Sequence, residues 1–224
     1  MSKANIREIF LSIQGEGPYV GERQLFIRFC RCNLNCRYCD TDFELSKSTE
    51  YTPSQLIEKV NGYGKNFVLS LTGGEPLVSV DFLSEFLPLA KNSKHKIYLE
   101  TNATLPENLN KIIDFTDVIS ADIKLESCTG KPQAEDKITE FFDIASQKEV
   151  FAKIVFNENI TEEEINFATK LAIKNNILII LQPEMAENNF AVSTEVCEKI
   201  FDKFYSKYPN VRMIPQMHKF LNVR

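Results

Sequence analysis

The sequence predicts an α/β fold on a mostly parallel sheet. Three observations predict it. Short β-branched apolar runs alternate with amphipathic helical stretches along the chain, helix start signals fall between them, and chemically unusual residues cluster just after the strand runs. Such strict alternation implies right-handed βαβ crossovers, in an open doubly wound sheet or in a full or partial (β/α) barrel. Either architecture puts the chemistry at the carboxyl ends of the strands.

Taken in order, strands are expected near 24–30, 66–71, 96–100, 118–122, 150–156, 177–181 and 211–214. Helices are expected near 53–61, 80–90, 106–113, 136–147, 161–174 and 194–208. Thr52 before Pro53 reads as an N-cap followed by a proline at the first helical position, and Thr161 with Glu164 reads as a capping box. No low-complexity segment, repeat or Ser/Gly-rich linker interrupts the pattern, so one domain over 1–224 is the simplest organisation.

The 224 residues are 43% hydrophobic, enough for a core that needs no disulfide staples. Lys and Arg total 26 against 31 for Asp and Glu, a net charge of −5, so a nucleic-acid partner is not expected. Lys3, Arg7 and Glu8 break up the first residues, which excludes a secretory core there. The aliphatic run 177–181 is too short to cross a bilayer, so no membrane partner is expected. A cytoplasmic, reducing setting follows, in which six cysteines read as metal ligands or catalytic groups before bridges.

Residues at the expected strand ends include Cys32, Cys36 and Cys39, then Thr72, Gly73, Gly74 and Glu75, then Glu100, Thr101 and Asn102, then Asp122 and Lys124, then Gln182, and finally Gln216 and His218. The sharpest signal is Cys32-x3-Cys36-x2-Cys39. A structural zinc site commonly pairs two short knuckles, and the chain has no second Cys or His pair, although His218 or Cys128 could supply a fourth ligand. Three thiolates in one loop suit three corners of a cubic iron–sulfur cluster, with the fourth iron left open and reactive.

With Gly73-Gly74-Glu75-Pro76 after the next strand, this motif resembles the radical S-adenosylmethionine (SAM) superfamily. The resemblance implies a single-domain partial (β/α) barrel of the radical SAM type, a [4Fe-4S] cluster on the three cysteines and SAM chelated to the open iron. It also implies one-electron cleavage of SAM to a hydrogen-abstracting 5′-deoxyadenosyl radical. The Ile13-Gln14-Gly15-Glu16-Gly17 loop, Cys39-Asp40-Thr41 and Gln216-Met217-His218-Lys219 further resemble the 7-carboxy-7-deazaguanine synthase family, from about Ile6 to the C-terminus.

That resemblance implies a pterin substrate, 6-carboxy-5,6,7,8-tetrahydropterin, whose ring contraction releases ammonia and feeds 7-deazaguanine (queuosine-type) biosynthesis. It also implies Mg2+, an electron donor such as a flavodoxin, and a homodimer. By the same resemblance Tyr38, Cys39, Asp40, Gly74, Asp122, Ile123 and Lys124 contact SAM, as do Gln182, Pro183, Glu184 and Met185. Thr41 binds Mg2+, and Ile13, Gln14, Gly15, Arg28, Thr72 and Arg224 contact the pterin.

Two assignments have independent support from the residues. Arg28 shares a strand face with Phe26 and Cys30, opposite Leu25, Ile27 and Phe29, so covering both faces buries a guanidinium that then requires an anion. The anion is a substrate carboxylate, or else Glu16 or Glu22 within the protein. Thr41 beside Asp40 offers the hard oxygens that Mg2+ selects. The glycines at 73 and 74 are expected where backbone must lie close to a ligand. His218 reads as a packed or capping histidine with substrate contact as the alternative, His95 as solvated, and Cys30, Cys128 and Cys197 as ordinary small residues. A glycyl-radical-enzyme activase and a non-catalytic zinc module remain the alternatives.

Overall fold

A computed structural model describes residues 2–37, 45–186 and 189–223. Its strands are β1 (Ala4–Ile13), β2 (Arg23–Phe29), β3 (Thr49–Tyr51), β4 (Val68–Gly73), β5 (Ile97–Thr101), β6 (Val118–Asp122), β7 (Glu149–Phe156), β8 (Leu178–Pro183), β9 (Met185–Ala186), β10 (Asn189–Phe190) and β11 (Val211–Met213). Its helices are α1 (Pro53–Asn61), α2 (Val80–Asn92), α3 (Pro106–Ile112), α4 (Glu126–Thr129), α5 (Glu135–Ala145), α6 (Glu162–Asn175), α7 (Thr194–Lys207) and α8 (Met217–Leu221). Both sequence-predicted caps are present, as full capping boxes at Thr52 with Gln55 and at Thr161 with Glu164.

Nine strands form one sheet in the order β11-β8-β7-β6-β5-β4-β2-β1-β3. From β2 to β11 every neighbouring pair is parallel, as the alternation predicts, and each consecutive crossover carries a helix. Among the described residues the sheet does not close on itself, which excludes a full barrel. At the other end β1 and β3 add on antiparallel, an extension the sequence pattern does not reveal. A bulge between Ile6 and Glu8 shifts the β1 register, so the period-2 alternation is broken within the strand itself.

Side-chain alternation gives the sheet two different faces. Outward residues such as Leu25, Ile27, Leu69, Leu71, Leu99, Ile119, Ile154 and Leu181 are fully buried and join one large core with Leu56, Phe82, Phe86, Leu109, Phe141 and Phe142 of the helices. Inward residues near the strand starts form a second, smaller cluster of Val68, Tyr98, Val118, Phe151 and Ile180. This is the floor of the barrel.

The segment between β1 and β2 crosses that interior. Its ends are tied by Gln14 N–H to Glu22 O (2.8 Å) and Gly21 N–H to Gln14 O (2.9 Å). Tyr19 packs edge-on against Tyr98 with ring centroids 5.4 Å apart and donates to Glu149 Oε1 at 2.5 Å. At the far side Gly15 O accepts from Met217 N–H at 2.8 Å, just after β11. Residues following one end of the strand order therefore meet residues following the other, and the open sheet is bridged at its top.

Candidate active site

Above the floor, the inward residues at the strand ends line a cavity of about 260 Å³. Ile13, Gln14, Gly15, Arg28, Cys32, Cys36, Thr72, Gly74, Asp122, Lys124, Gln182, Glu184 and Met185 all contribute to its wall. Most of the residues singled out from sequence are thus brought together. Two are not: the Ile123 side chain sits in the outer core and Pro183 is turned away from the cavity. Tyr38, Cys39, Asp40, Thr41 and Arg224 lie outside the described residues.

One wall is a chain of hydrogen bonds. Thr72 Oγ1 donates to Glu100 Oε2 (2.7 Å), and Gln14 Nε2 donates to Glu100 Oε1 (2.9 Å) and Gln24 Oε1 (3.1 Å). Gln14 Oε1 in turn accepts from Glu16 N–H at 3.0 Å. Thr72 lies beside Arg28 in the parallel register of β2 and β4. Arg28 is only partly buried, and its internal partner is neither Glu16 nor Glu22 but Glu8, its cross-strand neighbour on β1, at 2.8 Å from Nε. The guanidinium carbon stands 5.7 Å from the centroid of Phe10, which stacks on Phe26. The contact with Glu8 was not legible because β1 itself was not.

The opposite wall carries Asp122, paired with Lys124 at 2.7 Å and, ionically, with Lys153 at 3.2 Å. Lys153 also pairs closely with Glu16, which accepts from Gln216 Nε2 at 2.7 Å. Burial alone would raise the Glu16 carboxyl, but the Lys153 charge and the hydrogen bonds from Lys153 and Gln216 outweigh it and bring it down to about 2. Burial would likewise depress Lys153, yet Asp122, Glu16 and Glu100 hold it well above the ordinary lysine value. Lys153 is the main residue that sequence reasoning missed. Its signal was a charge inside the apolar run 150–156, in phase with Phe151.

The cysteine loop is clamped onto its neighbours. Gly74 N–H donates to Phe29 O (2.9 Å) and Glu75 N–H to Arg31 O (2.7 Å), just before Cys32. A Cβ at Gly74 would stand 2.1 Å from Arg31 O, and Gly73, at φ +109°, presses equally on Phe29. These glycines therefore allow the close backbone approach that holds the cysteine loop, and both also line the cavity. Asn33 extends the clamp by donating to Thr104 Oγ1 (2.8 Å) and accepting from Asn102 Nδ2 (2.9 Å).

Glu75 is wholly buried and accepts from Leu77 N–H, Thr101 Oγ1 and Asn102 N–H at 2.7–3.0 Å. It fastens the loop after β5 to the loop after β4. Burial pushes its carboxyl up to about 7, with the Asp122 charge adding and the three hydrogen bonds opposing.

His218 lines the cavity and packs against Gly15, where an added Cβ would lie 2.5 Å from the His218 Cβ. His95 is not solvated as expected: it is buried, stacks on Phe67 at 5.1 Å and has its Nε2 3.4 Å from Asn61 Oδ1. Cys30, Cys128 and Cys197 are buried packing residues.

The wall accommodates the groups that the cysteine motif implies. Cys32 and Cys36 both face the cavity, although among the described residues no three Cys, His, Asp or Glu side chains converge as a metal cage, Cys39 being outside them. Gln182 is fully buried and neither amide atom finds a hydrogen-bond partner in the protein, as a site built for a polar ligand requires. The site has the form of a thiolate-held cluster centre at the mouth of a partial barrel. Residues 26–166 match the Radical SAM superfamily, and the chain belongs to it.

The likeness extends beyond the superfamily. The chain is 34% identical to the 7-carboxy-7-deazaguanine synthase of Geobacter sulfurreducens over 99% of each chain. It is also 34% identical to that of Archaeoglobus fulgidus, over 99% of this chain and 100% of the relative. Within the superfamily it belongs to the 7-carboxy-7-deazaguanine synthase family. The fold is similar to that of QueE from Escherichia coli, with a TM-score of 0.67 and 17% identity over 96% of this chain and 95% of the other. Among the described residues no helix is long and apolar enough to cross a membrane.

Proposed function

We infer that this chain contracts the ring of 6-carboxy-5,6,7,8-tetrahydropterin to 7-carboxy-7-deazaguanine with loss of ammonia. The observation that carries the reading is end-to-end similarity to two named synthases, with 99% of this chain matched to each. The cavity supports it, because one lining brings Gln14, Arg28 and Thr72 together with Cys32, Gly74, Asp122, Lys124 and Gln182. Neither an activase nor a zinc module accounts for Arg28 and Thr72 beside the cysteine loop.

In this reading Cys32, Cys36 and Cys39 hold a [4Fe-4S] cluster, and SAM lies against Tyr38, Asp40, Gly74 and the 122–124 and 182–185 segments. The chemistry supplied by the bound cluster and SAM is hydrogen-atom abstraction from the substrate. The residues of the chain do the rest. Glu8 and Phe10 hold the Arg28 guanidinium at the cavity edge, where its terminal nitrogens can take the pterin carboxylate two-point.

Thr72 and Gln14 fix Glu100, leaving a defined acceptor for the pterin ring N–H groups. Thr41 gives one hard oxygen to a Mg2+ otherwise held by substrate and water, and Arg224 closes over the pterin. A flavodoxin-type donor and a homodimer complete the proposal.

Anaerobic turnover of the reconstituted protein with the carboxypterin, read by mass analysis, tests it. A product that is not lighter than the carboxypterin by one NH3, or SAM cleavage indifferent to the pterin, would overturn it.

A further inference from the structure

The cavity wall is assembled from separate segments, Gln14 and Gly15 following β1, Asp122 ending β6 and Gln216 following β11, and something must hold them in register. The Gln14–Glu22 segment leaves the sheet after β1 and crosses its interior; backbone hydrogen bonds join its ends and turn Glu22 N–H onto Tyr19 O, and Gly15 O accepts from Met217 N–H. Its glycines at 17 and 21 adopt φ +65° and +93°, a backbone conformation that side-chain-bearing residues rarely take. Gln14 on Glu100 and Tyr19 on Glu149 anchor it at two points, and its carboxylate anchor, Glu16, is met by Lys153 on β7.

Lys153 is buried, and its ammonium lies between the Glu16 carboxylate and Asp122 Oδ1, 3.2 Å away. Glu16 links onward through its N–H to Gln14 Oε1, and through its carboxylate to Gln216 Nε2. Asp122 links to Lys124. One cation thus joins the segment carrying Gln14 and Gly15, the strand end carrying Asp122 and the turn carrying Gln216 and His218. Two carboxylates in that enclosure would repel each other without it.

We propose that Lys153 is a positioning residue that pins the Gln14–Glu22 segment and the Gln216 turn to β6 and β7, and so sets the pterin contacts Gln14 and Gly15 against the SAM contact Asp122. The proposal deepens the reading above and relies on it for the identity of those contacts. Lys153 acts through its charge, since the carboxylates of Asp122, Glu16 and Glu100 favour its protonated form against burial.

Hydrogen exchange on the whole chain, before and after cluster reconstitution, tests the pinning directly. In Lys153→Met the amides of Gln14, Gly21 and Met217 should exchange at least about tenfold faster, while β4 and β5 amides stay at wild-type rates. The carboxypterin KM should rise at least about tenfold, and by more than kcat falls, because loop order is now acquired on binding. Glu16→Gln, which removes the same ion pair without stranding two carboxylates, should move both readouts in the same direction. Lys153→Arg, which keeps the charge, should restore most of the protection.

Wild-type exchange and an unchanged KM in a folded Lys153→Met or Glu16→Gln protein would overturn the proposal. Should Lys153→Met fail to fold, Glu16→Gln and Lys153→Arg decide it. Exchange is read without substrate, so a wild-type chain that ignores the carboxypterin would refute the functional reading, while the exchange pattern still judges the pinning.

Discussion

The floor and the rim of the barrel are built from the same strands, two to four residues apart on the same inward face, yet they are opposite in chemistry. On β4 the inward residues run Val68, Ser70, Thr72; on β6 Val118, Ser120, Asp122; on β7 Phe151, Lys153; on β8 Ile180, Gln182. The floor removes apolar surface from water and stabilises the fold. The rim buries charges and amides that would cost the fold several kcal/mol if left uncompensated, and it is tolerable only because partners or a ligand satisfy them. A strand can therefore serve stability at one end and chemistry at the other.

The sharpest way to break the comparison is to damage one zone and look for effects in the other. Cys36→Ala removes a ligand at the rim and should abolish cluster assembly and SAM cleavage, while unfolding of the cluster-free chain stays within about 0.5 kcal/mol of wild type. Iron and sulfide analysis of anaerobically reconstituted protein reads the first effect, and urea denaturation the second. Full iron content in the variant would remove Cys36 from the ligand set.

The converse experiment is Ile180→Ala, which opens a cavity in the floor with no polar atom changed. It should cost about 2–5 kcal/mol of stability. Below the new melting range, the KM for the carboxypterin should stay close to wild type. A large KM change with little lost stability would show that floor and rim are not separable.

How much of this contrast the sequence discloses depends on which force writes the pattern. The parallel strands and their helices were legible because each buries a continuous apolar outer face, as in Leu69 and Leu71 or Ile119 and Ala121, and because caps at Thr52 and Thr161 are local. The cysteine loop and most of the rim were legible because thiols and charges stand out at strand ends. β1 was not legible, since its bulge breaks the alternation and its pairing with β2 is fixed by tertiary contact.

For the same reason the Glu8 contact of Arg28 escaped notice. The burial of His95 was missed because its neighbours Lys94 and Lys96 dominate the local pattern while its ring stacks on Phe67, far along the chain. Lys153 was hidden within an apolar run, where only its inward phase, shared with Phe151, marks it.

Within the rim, Thr72→Val keeps the shape of the side chain and deletes the 2.7 Å hydrogen bond to Glu100. The loss of a bond to a charged acceptor should lower kcat/KM by about 1.5–3 kcal/mol, roughly 10- to 100-fold. Thr72→Ser should recover most of it. An equal loss in both variants would mean that Glu100 does not depend on this hydroxyl for its orientation.

The finest distinction is between two buried carboxyls at the rim that shift in opposite directions. Glu75 is raised by burial from its ordinary 4.5 to about 7, so the stability it contributes is complete below about 4.5 and is lost as pH rises through about 7. Glu16 falls to about 2 because Lys153 and Gln216 overcome its burial, so its contribution is complete above about 4.5 and is lost as pH falls through about 2. Between pH 5 and 7, then, only Glu75 changes.

Wild type should lose stability relative to Glu75→Gln across that interval, with a slope of at most about 1.4 kcal/mol per pH unit, and the difference should level off above it. The difference between wild type and Glu16→Gln should stay flat over the same range and shrink only in acid. Urea unfolding of the three proteins at each pH measures both, and a Glu75 difference that grows in favour of wild type from pH 5 to 7 would reverse the assigned sign. A group held by a fixed cation and one held only by neutral donors would then respond alike to burial, which the contrast between Lys153 beside Glu16 and the three neutral donors around Glu75 does not allow.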